Sequence, residues 1–147
     1  MKNIAHFKIV ILEDNDFYNK IISKHIENYI SNFALSKGFT FEINAFTSYS
    51  DCVRNFASDT TIVITDFYLN DGFNALDLIN YVRKSELSCQ IIILSQIQNI
   101  ATSITTLLEG ACEFIQKDKG ALQKSGHVVE EILSQKLKTN SGYSPYN

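Results

Sequence analysis

The sequence predicts one α/β domain: a parallel five-stranded sheet, doubly wound, with helices on both faces. Three observations carry this. Five short apolar runs recur along the 147 residues, at Lys8–Leu12 (KIVIL), Thr40–Phe46 (TFEINAF), Thr61–Thr65 (TIVIT), Gln90–Leu94 (QIIIL) and Glu113–Gln116 (EFIQ). The first, third and fourth are continuously apolar rather than alternating, as strands buried on both faces of a parallel sheet are. Segments of helical periodicity separate the runs, and strands alternating with helices imply parallel strands joined by right-handed crossovers.

In chain order, KIVIL runs into Glu13 and Asp14. Phe17, Ile21, Ile22, His25, Ile26, Tyr29 and Ile30 then mark the apolar face of a helix, with Asp16 as its cap. TFEINAF mixes polar and apolar residues, as an edge strand does. Between Thr47 and Ser58, SYSDCVRNFAS predicts a short helix capped by Ser50. TIVIT ends on Asp66, and Asp71 and Gly72 follow as turn formers. Leu76, Leu78, Ile79 and Val82 make the next apolar stripe, and QIIIL then ends on Ser95. Ile97, Ile100, Ile104, Leu107 and Leu108 predict a core-facing helix stopped at Gly110. EFIQ, mixed like the second run, is the other expected edge and ends on Lys117. Val128, Val129, Ile132, Leu133 and Leu137 mark the last helix. The domain is expected over residues 1–137, with 138–147 (KTNSGYSPYN) a polar tail or the start of a linker.

Composition narrows the function classes. The chain is 45% hydrophobic and 20% charged, ordinary for a globular protein. Its net charge of -3 supplies no basic field for nucleic acid, so direct nucleic-acid binding is not expected. Cys52, Cys89 and Cys112 lack metal-ligand spacing and are expected to be reduced thiols in a cytoplasmic protein. FKIVIL is too short for a signal peptide core and ends on acids. No segment approaches the roughly 20 apolar residues of a membrane span.

In an open α/β sheet, ligands bind outside the carboxyl ends of the strands. There the strand assignments place Glu13 and Asp14, Asp66, Ser95 and Lys117 on one rim. Burying an ionised carboxylate unpaired is costly, and three close together repel, so the cluster calls for a cation. Hard oxygen ligands suit Mg²⁺. Lys117 adds a fixed positive charge and Ser95 one hydrogen-bond donor. Cation, ammonium and hydroxyl match the equatorial oxygens of a transferring phosphoryl group, with Asp66 as the nucleophile.

These residues resemble the receiver domain of two-component response regulators, the CheY-like superfamily. The likeness covers about Lys8 to Lys136. ILEDN at 11–15 resembles the family's first strand and acidic pair, and ITDFYLNDG at 64–72 its phosphoacceptor strand and loop. IIILS at 91–95 resembles the switch strand, and GACEFIQKD at 110–118 the Gly-Ala, aromatic and Lys segment. The resemblance implies a flavodoxin-like sheet in the order 2-1-3-4-5. It implies that Asp66 accepts a phosphoryl group from a histidine kinase or histidine phosphotransfer protein. Asp14, Asp66 and the backbone carbonyl of Tyr68 would hold Mg²⁺, with Glu13 acting through water. Lys117 would pair with the phosphoryl oxygens, and Ser95 and Phe114 would be the switch residues.

The chain departs from the family pattern at several points. Asn70 stands where proline is usual, and Asn74 where glycine is common. The spacing to Arg83 suggests a local insertion. Asp118 follows Lys117, and the long Gln96 follows Ser95, so Gln96 and Tyr68 are expected to slow dephosphorylation. The expected role is a phosphorylation-dependent signalling switch, catalysing only its own phosphorylation and dephosphorylation. Its readout would be a partner protein, a homodimer or an output domain missing from this chain. The alternative is a receiver-like interaction module that is never phosphorylated. A phosphohydrolase of haloacid-dehalogenase type is disfavoured, because its second Asp would fall at Tyr68.

Overall fold

Each apolar run forms a strand and each intervening segment a helix in the computed structural model, which describes residues 4–85, 87–96 and 100–140. The order is β1 (His6–Leu12), α1 (Asp16–Lys37), β2 (Thr40–Phe46), α2 (Tyr49–Arg54), β3 (Ile62–Thr65), α3 (Ala75–Lys84), β4 (Gln90–Ser95), α4 (Ile100–Glu109), β5 (Glu113–Gln116) and α5 (Ala121–Asn140). The strands pair in parallel in the order β2-β1-β3-β4-β5. The three continuously apolar strands are interior and the two mixed ones are the edges, as their composition requires.

Successive side chains of a strand point to opposite faces, so each interior strand feeds two cores. On one face Ile9, Ile11, Ile62, Ile64 and Ile92 meet Ile22, Ile26 and Ile30 of α1 and Val129 and Leu133 of α5. On the other, Val10, Leu12, Val63 and Ile93 meet Cys52 of α2 and Leu78, Ile79 and Val82 of α3. Each such aliphatic side chain contributes about 1.5–3 kcal/mol by leaving water. The chain steps from β1 to β2 on one side, then returns to β3 on the other. That reversal opens a crevice between the carboxyl ends of β1 and β3.

Several local expectations are corrected. Asn15, not Asp16, caps α1, its side chain accepting the Tyr18 N–H. Ser48, not Ser50, caps α2, accepting the Asp51 N–H. In each case the cap must have extended backbone and sit just before the first helical residue. Phe17 is 74% exposed. The buried row Ile22, Ile26, Ile30 continues backward by fours to Tyr18, which leaves Phe17 off the core face. On α4, Leu107 and Leu108 are exposed and Thr106 is buried. Thr106 can face inward because its hydroxyl donates to the Ser103 carbonyl at 2.9 Å. Ile97, and the side chains of Ile100 and Ile104, lie outside the described residues. Helix α5 runs to Asn140, so it extends into the first three residues of the expected tail or linker; residues 141–147 lie outside the described residues.

Cys52, Cys89 and Cys112 are free thiols, and burial pushes them up to about 12, 11 and 11 respectively. Among the described residues, no helix is long and apolar enough to cross a membrane.

Helices α1 and α5 meet where Gly126 faces the ring of Tyr29. A Cβ at Gly126 would lie 2.7 Å from Tyr29 Cδ2 and Cγ. Alanine normally gains about 1 kcal/mol over glycine inside a helix. Here the overlap outweighs it, and Gly126→Ala is expected to cost about 1–3 kcal/mol. Urea unfolding checks this: the midpoint falls in the native background and rises when Tyr29 is first changed to Ala.

Candidate functional site

The pairing register builds the site. Leu12 is aligned with Thr65 across β1 and β3, so the next residues, Glu13 and Asp66, emerge side by side. The Asp66 N–H extends the ladder to the Leu12 carbonyl at 3.0 Å. Ser95 is aligned with Gln116, and the Lys117 N–H reaches the Ser95 carbonyl at 2.7 Å. Three strand ends thus deliver Glu13, Asp66 and Lys117 to one point. Asp14 joins them: one oxygen each from Glu13, Asp14 and Asp66 lie within 4.8 Å of one another.

Lys117 Nζ donates to Glu13 Oε1 and lies 3.3 Å from Asp66 Oδ2. The other oxygens are held by backbone. The Phe67 N–H donates to Asp66 Oδ1 at 2.8 Å and the Asn15 N–H to Glu13 Oε2 at 3.2 Å. Asn19, buried on the first turns of α1, donates from Nδ2 to the carbonyls of Glu13 (3.0 Å) and Phe46 (2.9 Å). It thereby fixes the loop that presents the acidic pair. Above these groups lies an open polar cleft of about 680 Å³, bordered also by Tyr18, Tyr68, Asn70 and Gln96.

Charge is unbalanced here, three carboxylates to one ammonium. Burial pushes the Glu13 carboxyl above its usual range, against the hydrogen bonds from Lys117 and Asn15. Burial raises Asp66 too, opposed by the Lys117 charge. For Lys117, burial favours the neutral amine, but the hydrogen bond to Glu13 and the charges of Asp66 and Glu13 outweigh it, and the ammonium is held more firmly than usual. A donor set of three close carboxylates, two of them holding protons more tightly than usual, fits a hard divalent cation.

The remaining predicted residues are distributed unevenly. Tyr68 borders the cleft with a half-exposed ring. It pairs with Asn74 in an isolated bridge whose bonds run from the flanking residues, Ala75 N–H to Phe67 carbonyl and Leu69 N–H to Phe73 carbonyl. The Tyr68 carbonyl takes no part in that pairing. Gly72 at φ 84 makes the turn of this small hairpin, and Asn74 caps α3. Ser95 is buried at the end of β4 and does not border the cleft; Gln96 does. Phe114 is half-buried against the core shared by β3, β4 and α3, away from the cleft. Asp71 is more than a turn former, since its Oδ2 accepts the Tyr49 N–H at the start of α2 at 3.0 Å. Asp118 accepts the Gly120 N–H at 2.9 Å and shapes the entry to α5.

Sequence reasoning missed Asn19 and Tyr18. Tyr18 lies with its ring centroid 4.6 Å from Lys117 Nζ. The signal for both was their place on the first turns of the helix that follows the acidic pair, since those turns must border the carboxyl end of β1.

No protein-family model matches the sequence, and no curated protein matches it. Solved structures do. The signal receiver domain of a Luxo repressor protein from Vibrio parahaemolyticus matches with a TM-score of 0.73, covering 95% of this chain and 100% of that one at 15% identity. A response regulator receiver domain protein from Clostridium thermocellum gives 0.72, over 88% and 96% of the two chains at 20% identity. The beryllofluoride-activated DrrB receiver domain gives 0.70, over 88% and 99% at 14% identity. The fold is therefore flavodoxin-like. It is the fold that these receiver domains share.

Glu13 and Asp66 hold protons more tightly folded than unfolded. Stability without metal therefore falls as pH rises from the ordinary carboxylate range, about 4, through their raised values. A cation held by this cluster would compete with those protons, so any rise in Tm on adding Mg²⁺ is expected to be larger at pH 8 than at pH 5. Asp66→Asn removes one of the repelling charges. It should raise the metal-free Tm by about 2–8 °C and abolish most of the Mg²⁺ response. Thermal unfolding with and without Mg²⁺ at the two pH values measures all of this.

Proposed function

We propose that this chain is a phosphorylation-dependent switch of a two-component system. In this reading Asp66 is the phosphoacceptor and the donor a histidine kinase or histidine phosphotransfer protein. The observation that carries the reading is the juxtaposition of Asp66 with Lys117 at 3.3 Å, beside Glu13 and Asp14, at the mouth of an open cleft. The receiver fold supports it. So does the beryllofluoride-activated state named for one structural neighbour, whose fold this chain shares.

Asp66 Oδ1 is held by the Phe67 N–H, which leaves Oδ2, on the Lys117 side, to attack. In the proposed step Oδ2 forms a bond to phosphorus as the bond from phosphorus to the donor imidazole nitrogen breaks. The imidazole leaves and takes its proton from solvent. Lys117 follows the charge from the carboxylate to the phosphoryl oxygens. Asp14, Asp66 and the Tyr68 carbonyl would hold Mg²⁺, with Glu13 acting through water; when bound, the ion neutralises the carboxylates and polarises the phosphoryl oxygens. Dephosphorylation is attack of water on phosphorus, which returns the carboxylate and releases phosphate. The chain then acts on no substrate but itself.

Phosphorylation adds about two negative charges and strong acceptor oxygens. In the proposed switch the Ser95 hydroxyl turns to bond them and Phe114 moves inward, reshaping the surface near β4 and β5 for a partner, a second copy or an output domain. The expected setting is the cytoplasm, in keeping with the free thiols.

Intact-protein mass after incubation with acetyl phosphate and Mg²⁺ tests the reading. One phosphoryl group is expected on the native chain and none on Asp66→Asn. In the same assay the phosphoryl group should leave Gln96→Ala faster than the native chain, since Gln96 borders the cleft above Asp66. A native chain that gains no mass, and whose partner binding is unaffected by Asp66→Asn, would instead be an unphosphorylated interaction module.

A further inference from the structure

We infer that Tyr18 is a positioning residue for Lys117, its ring face holding the ammonium in the cleft throughout the phosphorylation cycle. This rests on the receiver reading. The lysine reaches the site on a long, flexible stem with much rotamer freedom to lose. Its side chain is only 9% exposed, so its neighbours, rather than water, must hold the charge. Those neighbours are the carboxylates of Glu13 and Asp66 and the ring of Tyr18, whose centroid is 4.6 Å from Nζ. At that range the negative face of an aromatic ring attracts a cation, and more so where water is excluded.

The ring is itself fixed. The Tyr18 N–H is bonded to Asn15 Oδ1 at 2.8 Å, and the side chain packs against the core between α1 and α5. It continues the buried row of Ile22, Ile26 and Ile30, so the packing that seats α1 on the sheet also seats the ring beneath the lysine.

Chemistry distinguishes the ring from the two carboxylates. Asp66 loses its carboxylate charge when it becomes an acyl phosphate, and Glu13 shares its charge with any cation the cluster takes up. The ring quadrupole changes in neither event. Tyr18 is therefore the contact that keeps Lys117 in place while the other two exchange partners. The attraction belongs to the ring and not to the hydroxyl, so phenylalanine should replace it.

The test follows phosphorylation by acetyl phosphate at saturating Mg²⁺ over a range of donor concentrations, in the native chain and in Tyr18→Phe, Tyr18→Leu and Tyr18→Met. The last two keep an apolar side chain for the core. Tyr18→Leu and Tyr18→Met are expected to lower the maximal rate about tenfold, with little change in the donor concentration at half-maximal rate. Tyr18→Phe should retain the native rate. In NMR spectra the Lys117 ε-methylene protons should show the upfield shift of protons over a ring in the native chain and Tyr18→Phe, and lose it in the other two. Native rates in both apolar variants, or a Phe variant as slow as Leu, would overturn the inference alone. A native chain that accepts no phosphoryl group and binds no beryllofluoride would overturn the receiver reading, and the inference with it.

Discussion

Three carboxylates gather at the carboxyl edge of the sheet, where one ammonium pairs with two of them, and the site is built around that imbalance. Pairing Lys117 with Glu13 and Asp66 offsets part of the repulsion among Glu13, Asp14 and Asp66. It leaves an excess of negative charge, and burial, with a smaller part from that repulsion, makes Glu13 and Asp66 hold protons more tightly than usual. A folded protein tolerates such a cluster when the surroundings over-determine it and when something cationic or phosphorylated comes to occupy it.

The fold supplies that over-determination through register. In the interior strands, aliphatic side chains fill both faces, so a one-residue slip of β3 would exchange its two cores and carry Asp66 away from Glu13. The site is therefore as fixed as the packing of Ile9, Ile11, Ile62 and Ile64. Around it the polar holds are local: Asn19 clamps the β1 end to the β2 end, and Phe67 and Asn15 N–H groups orient the carboxylates. The hairpin from Phe67 to Ala75 is tied to α2 by the Asp71 bond to Tyr49 and by the stacked rings of Tyr49 and Phe73, 4.1 Å apart. The loop beside Asp66 is thus braced against a helix that borders no part of the cleft.

Much of this was legible in the sequence, because strand-end residues inherit their place from the strand. KIVIL, TIVIT and QIIIL read as interior parallel strands; KIVIL and TIVIT then bring Glu13, Asp14 and Asp66 to one edge, and EFIQ, as a parallel edge strand, brings Lys117 there too. Helix faces were less legible. Phe17 and Ile21 fit the same periodicity as Tyr18 and Ile22, and nothing in the letters says which of two adjacent rows turns inward. Leu107 and Leu108 misled for a related reason: a threonine with its hydroxyl satisfied by the helix can take the buried position and leave leucines outside. The caps were displaced because Asp16 and Ser50 are good helix-start residues in any of the first positions, and only the backbone angles decide. Tyr18 escaped notice because an aromatic on a core row is ordinarily packing, and its second contact, with Lys117, joins residues from opposite ends of the chain.

The proposed phosphoryl site centred on Asp66 makes a demand on this rim that can be read residue by residue. Amide NMR during titration with beryllofluoride, an analogue of the phosphoryl group, tests it most directly when carried out with and without Mg²⁺. Saturable shifts are expected at Asp66, Ser95 and Lys117 that need both components and are absent from Asp66→Asn. Unchanged native spectra at saturating beryllofluoride and Mg²⁺, or an equal response from Asp66→Asn, would contradict it.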